Sequence, residues 1–233
     1  MSDTSTIHRT GRSSNREIRR AARSHRAAAK LPYIHRRIPT VELLHSEAVE
    51  IIEANAETIL EEIGIEFRRD PESLRLWREA GADVQGERVR IPRGLARQLL
   101  RTAPSEFMLH ARNPTRSLRF SGDASVFSPV GRPPFVTDLD RGRRYGTLAD
   151  LHNFIKLAHV APAIHFSGGC MVEPMDVPEG KRHLDVQYAF FRYSDQGCEG
   201  TPETPGHALD AVRMAGILFG QGFVDANCVL LGN

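Results

Sequence analysis

Hydrophobic and polar positions alternate along this chain with two clear periods. From Thr40, the run VELLHSEAVEIIEANAETILEEI places Val41, Leu44, Ala48, Ile51, Ile52, Ile59 and Ile63 on one helical stripe and Glu47, Glu50, Glu53 and Glu57 on the other face. This predicts a long amphipathic helix with a packing role, capped by Thr40 and stopped by Gly64. Ile65 to Phe67 reads as a short strand. Asp70 and Pro71 then open a second helix that ends before Gly81. Gln85-Gly86 between Val84 and Val89 predicts a hairpin, and Pro92 opens a third helix through Leu95, Leu99 and Leu100. Glu106 to His110 and Leu118 to Phe120 read as strands separated by the Asn113-Pro114 turn, and Trp77 reads as core.

Past Asp123 the texture becomes rich in Gly and Pro, and Phe135 to Thr137 pairs with Arg143 to Tyr145 around an Asp140 to Gly142 turn. Thr147 and Asp150 form a capping-box pattern before a helix from Leu148 to His159. Three apolar runs then repeat: AIHFSGG from Ile164, QGCEGT from Gln196 and NCVLLGN from Asn227, spaced 32 and 31 residues start to start. Helical patterns fill the gaps, from Glu179 to Tyr193 and from Pro205 to Phe219. Strand, helix, strand, helix, strand in such units predicts a parallel sheet with right-handed crossovers, either an open doubly wound sheet or a (β/α)8 barrel. The expected domains are a basic tail at 1–37, an α+β cap at 38–122, and a hairpin with the first part of the barrel at 123–233.

Composition narrows the function classes. At 233 residues, 40% hydrophobic and 26% charged, the chain fits a soluble globular protein. No apolar run approaches the ~18 to 20 residues of a membrane span, and no apolar segment follows the basic N-terminus as in a secretory signal. The expected location is cytoplasmic. Residues 1–37 hold ten Lys and Arg against two acidic residues, so this stretch is +8 while the rest of a chain of net charge +2 is −6. Its poverty in large apolar residues predicts a solvated, disordered tail, or a helix docked on its own body or on a neighbouring subunit of a homo-oligomer. An Arg-rich nucleic-acid arm is the alternative. Cys170, Cys198 and Cys228 stand 28 and 30 residues apart, which excludes a C-x-x-C pair; they read as free thiols.

The runs EEIGIEF, REAGADVQGERVRIPRGL, PVGRPPFVTDLDRGRRYGTLADL and CMVEPMDVPEGKRHLD, in this order, resemble the trimethylamine:corrinoid methyltransferase family from about Ile38 to Asn233. The resemblance implies an incomplete TIM barrel of about three strands, cut from a longer enzyme and inactive as it stands. It also implies transfer of a methyl group from trimethylamine, or from a quaternary amine such as glycine betaine, to the Co(I) of a corrinoid that a partner protein carries. The chain itself would bind no cofactor, and no position in it inherits the family's pyrrolysine. Two other readings stay open: a noncatalytic subunit pairing with another polypeptide through an open sheet edge, and a nucleic-acid-associated protein.

Ligands of parallel α/β barrels sit at the C-terminal strand ends. That criterion selects Gly168, Gly169 and Cys170 after the first run, Glu199, Gly200 and Thr201 after the second, and Gly232 and Asn233 after the third. Glu173 and Glu199 can offer charge to a methylammonium group, against the simpler reading of solvated loop carboxylates. Phe127 and Phe135 can offer aromatic faces, against ordinary packing. His165 reads as a hydrogen-bonded core histidine.

Overall fold

Capping chemistry sets the element boundaries more firmly than propensity does. The structure, a computed structural model, describes residues 33–200 and 202–232. Most of the basic tail expected at 1–37 therefore lies outside the described residues. The chain divides into two units, His35–Phe107 with Ser121–Asp123, and Met108–Phe120 with Ala124–Asn233.

In the first unit, α1 spans Ser46–Thr58 and continues as a wider turn over Ile59–Ile63. It starts later than Thr40, because no side chain caps its N-terminus and residues 41 to 45 run without a hydrogen-bonded helix. Gly64 ends it at φ +73, where a Cβ would collide with the carbonyl oxygen of Val89. Strand β1 (Ile65–Glu66) leads to α2 (Pro71–Glu79), capped by Asp70, whose Oδ1 accepts the Ser73 amide at 3.0 Å. Strands β2 (Asp83–Gln85) and β3 (Arg88–Arg90) form the expected hairpin, with Gly86 at φ +61 in its two-residue loop. β3 also pairs antiparallel with β1, and α3 spans Leu95–Leu100. A small core of Ala82, Val89 and Ile91 gathers Leu60, Phe67, Leu74 and Trp77. The predicted stripe of α1 does not reach that core. Ile51, Ile52, Ile59 and Ile63 are all more than half exposed, and only Leu60 packs.

The second unit takes up at Met108, within β4 (Phe107–Leu109), which pairs with β5 (Leu118–Phe120). An antiparallel hairpin follows, β6 (Phe135–Asp138) and β7 (Gly142–Tyr145), turned by Gly142 at φ +64. Helix α4 (Leu148–Val160) opens on a complete capping box in which Thr147 and Asp150 exchange hydrogen bonds. Helix α5 (Glu179–Tyr193), strand β8 (Cys198–Glu199), helix α6 (Pro205–Phe219), a short α7 (Gln221–Ala226) and strand β9 (Leu230–Leu231) complete the order. β8 and β9 pair in parallel, Cys198 opposite Leu230 and Glu199 opposite Leu231. The main core sits between α4, α5 and the strands: Leu151, Ile155, Val186, Ala189, Phe190, Val172 and Cys198 are buried together. Leu109, Leu118 and Phe166 form a second cluster with Leu231.

One expected strand is absent as a regular element. The stretch from Ala163 to Cys170 is extended but irregular. Ser167 donates its amide to the Gly197 carbonyl at 3.1 Å, and Glu199 donates to Gly168 at 3.1 Å, so the stretch lies against β8. Gly168 at φ +66 interrupts the pleat between those two bonds, which prevents a continuous ladder. Among the described residues the sheets have two or three strands, and none closes into a barrel.

Candidate active site

The irregular stretch is held from both sides before any functional group is considered. His165 donates its amide to Phe127 O at 2.9 Å, and its Nδ1 accepts the Phe127 amide at 2.8 Å. Nδ1 therefore carries the lone pair and Nε2 the proton. Burial pushes the ring's pKa down, so it stays neutral. Phe127 stacks on this imidazole at 5.8 Å with its outer face half exposed. His165 is thus a structural clip that presents Phe127. Gln196 Nε2 adds bonds to the carbonyls of Ile164 and His165.

Gly168 and Gly169 stand at the end of the stretch, beside Glu199 at the end of β8. A Cβ on Gly169 would lie 2.5 Å from Glu199 Oε2, so the absence of a side chain there is what admits the carboxylate. That carboxylate is partly buried and accepts no hydrogen bond among the described residues. Burial raises its pKa, while the Arg132 guanidinium pulls it the other way. Arg132 is anchored close by: its amide donates to Cys170 O at 2.5 Å, and its backbone sits at φ +61.

A charged cleft of about 200 Å³ adjoins this point, between the first turns of α5 and α6. Arg132, Cys170, Glu173, Arg182, His183, Glu203 and His207 line it. Glu173 is not a free carboxylate: its Oε1 accepts from Arg182 Nη1 at 3.0 Å, and Arg182 also grips Val177 O. Arg132 forms an ion pair with Glu203. The rings of His183 and His207 stack at 3.8 Å, and His183 Nε2 meets Asp210 Oδ2 at 3.1 Å, which holds the Asp210 carboxyl below its usual range. Cys170 and Cys198 are buried, and burial pushes both thiols up to about 12. They are neutral at physiological pH and serve as small apolar side chains.

The structure brings together Gly168, Gly169 and Glu199, with Glu173 across the Cys170 turn. Phe135 is engaged elsewhere: Tyr145 stacks on it at 4.8 Å and the Arg143 guanidinium covers it at 3.8 Å from the ring centre. Thr201 and Asn233 lie outside the described residues. Reading the sequence missed Arg132, Arg182, His183, Glu203 and His207. For Arg182, His183 and His207 the available signal was the concentration of ionisable side chains near the start of each helix that follows a glycine-bearing segment; for Arg132 and Glu203, which lie in loops, no local signal was present.

The sequence model of the trimethylamine methyltransferase (MTTB) family matches residues 9–233. The chain belongs to that family. It is also 43% identical, over 183 residues, to a glycine betaine methyltransferase of Desulfitobacterium hafniense (strain Y51). That match takes in 78% of this chain and 38% of the relative, so the chain spans well under half the length of the relative it matches. No helix among the described residues of this MTTB family member is long and apolar enough to cross a membrane.

Proposed function

We propose that this chain forms the amine-facing wall of a cytoplasmic methyltransferase that moves a methyl group from a methylated amine to the cobalt of a corrinoid held by a partner protein. The architecture we assign is the opening part of a (β/α)8 barrel. The parallel pair β8 and β9, the irregular stretch hydrogen-bonded beside β8, and the helices between them support that assignment. The corrinoid, as co-substrate, supplies a nucleophile of high reactivity toward an N-methyl carbon.

The observation that carries the reading is the Glu199 carboxylate: partly buried, at a strand end, and free of hydrogen bonds among the described residues. A half-desolvated carboxylate costs free energy unless something offsets its charge. A quaternary ammonium suits it, because such a cation has no N–H to offer and interacts through charge alone. The half-exposed ring of Phe127, tied to His165 of the irregular stretch, is of the kind that attracts methylated cations, by ~0.5 to 2 kcal/mol.

A quaternary amine also simplifies the chemistry. When the N–CH3 bond breaks, its electron pair stays on nitrogen and the leaving group departs as a neutral amine. No proton must be delivered, and the groups beside Glu199 are poor donors: burial holds His165 neutral and makes both nearby thiols weak acids, pushed up to about 12. The chain's task is to orient the onium and exclude water.

The test combines the chain, a reduced corrinoid protein and glycine betaine or trimethylamine, and follows loss of the N-methyl signal by NMR. Demethylation would overturn the expectation that the chain is inactive as it stands, and it should fall about 10-fold or more in Glu199→Gln, the loss of one close charge interaction in a partly buried site. Methyl transfer indifferent to Glu199→Gln would sink the assigned role. No transfer at all would favour the noncatalytic reading, in which the open edge of the β8–β9 pair receives another polypeptide.

A further inference from the structure

Arg132 combines three features that the methyl-transfer reading does not use. Its backbone is left-handed at φ +61 although it precedes Pro133, a position where sterics favour extended backbone. The strain is held by neighbours: the Arg132 amide is tied to Cys170 O, the Pro133 carbonyl accepts from Glu173, and the Pro134 carbonyl accepts from Gly146. The side chain is therefore launched from a fixed point beside Cys170, next to Gly169, against which Glu199 packs. Only one guanidinium nitrogen, Nη1, has an acceptor among the described residues, the Glu203 carboxylate, and both members of that pair are nearly half exposed. Such a pair contributes little to stability and opens readily.

We propose that Arg132 determines substrate specificity by exchanging Glu203 for the carboxylate of a zwitterionic methylated amine whose onium end lies against Glu199. The inference rests on the Glu199 reading above and assigns the opposite end of the same ligand. A planar guanidinium with free N–H groups matches a carboxylate with two parallel hydrogen bonds. Glu203 pairs with this guanidinium in the structure, so it acts as an internal competitor that a simple alkylammonium cannot displace. A methylated amine without a carboxylate gains nothing from Arg132, and it feels the guanidinium only as a like charge.

The experiment measures binding of two probes, glycine betaine and tetramethylammonium, to the 233-residue chain by titration calorimetry. The wild type should prefer glycine betaine. Arg132→Gln should weaken glycine betaine by roughly tenfold or more and leave tetramethylammonium within about twofold. Arg132→Lys, which keeps the charge and loses the planar fork, should fall between. Glu203→Gln should tighten glycine betaine, an outcome that a merely structural Arg132–Glu203 strut does not produce. The proposal is overturned if Arg132→Gln affects both probes alike, if Glu203→Gln weakens glycine betaine, or if the wild type binds no glycine betaine. Tetramethylammonium binding that is insensitive to Glu199→Gln, with the Arg132 response intact, overturns the Glu199 assignment alone.

Discussion

Helices α1 and α4 are both 13 residues long and both carry an apolar stripe, yet they meet opposite fates. In α4, Leu151, Ile155 and Ala158 are buried against α5 and the strand segments. In α1 no residue is buried, and Ile51 and Ile52 stand more than half exposed. The helix that packs is also the one whose first turn is chemically fixed. Thr147 and Asp150 close a capping box, and Arg144 clamps both carboxylate oxygens of Asp150 at 2.6 and 2.7 Å. α1 starts at Ser46, and His45 before it provides no side-chain cap. A hydrophobic stripe therefore states what a helix is able to bury. The surrounding elements decide whether it does.

The largest effect that tests this contrast comes from the α4 core. Ile155 is fully buried, and Ile155→Ala should cost about 3 kcal/mol through lost burial and an unfilled cavity. Urea unfolding should show a lower midpoint at unchanged slope. A loss below about 1 kcal/mol would mean that the α4 stripe is no better used than that of α1.

A smaller effect, with a pH signature, tests the fixed first turn. Hydrogen bonds from Arg144, then the Thr147 hydroxyl and amide, hold the Asp150 carboxyl well below the usual carboxylate range, against the opposing effect of burial. A folded pKa depressed below the unfolded value of ~3.9 stabilises the fold fully above that value, and the contribution is lost as pH falls toward the folded pKa. Asp150→Asn should thus cost about 2 kcal/mol at neutral pH, with the deficit shrinking below about pH 4. A deficit constant from pH 7 to pH 3 would show that the cap acts by shape alone.

Much of this was legible in the residues, and the failures are physical. The bounds of α5 and α6 follow from local signals, Pro178 before one and Thr204-Pro205 opening the other. The hairpins follow from Gly86 and Gly142, whose positive φ the turns require. The adjacency of Glu199 and Gly169 agrees with their expected place at neighbouring strand ends. The strand at Ile164 was over-read, because a pattern of apolar residues does not reveal that Gly168 takes a left-handed backbone within it. Of the two readings of Phe135, ordinary packing is the one seen: Arg143, two residues before its cross-strand partner Tyr145, covers the ring. The cleft was missed because its ion pairs join residues distant in sequence, Arg132 with Glu203 most of all.

The smallest expected effect is the most discriminating for α1. If its stripe is solvated in this chain, Ile52→Ala removes apolar surface that folding never took from water, and the hydrophobic term should be close to zero. Alanine is also the better helix former, which works in the direction of slight stabilisation. The net change in unfolding free energy should lie within about 0.5 kcal/mol of zero, against about 3 kcal/mol for the equivalent truncation at Ile155. A cost above about 1.5 kcal/mol at Ile52 would mean that the stripe is covered in solution by another surface, and that cost should then vary with protein concentration if the cover is a second copy of the chain.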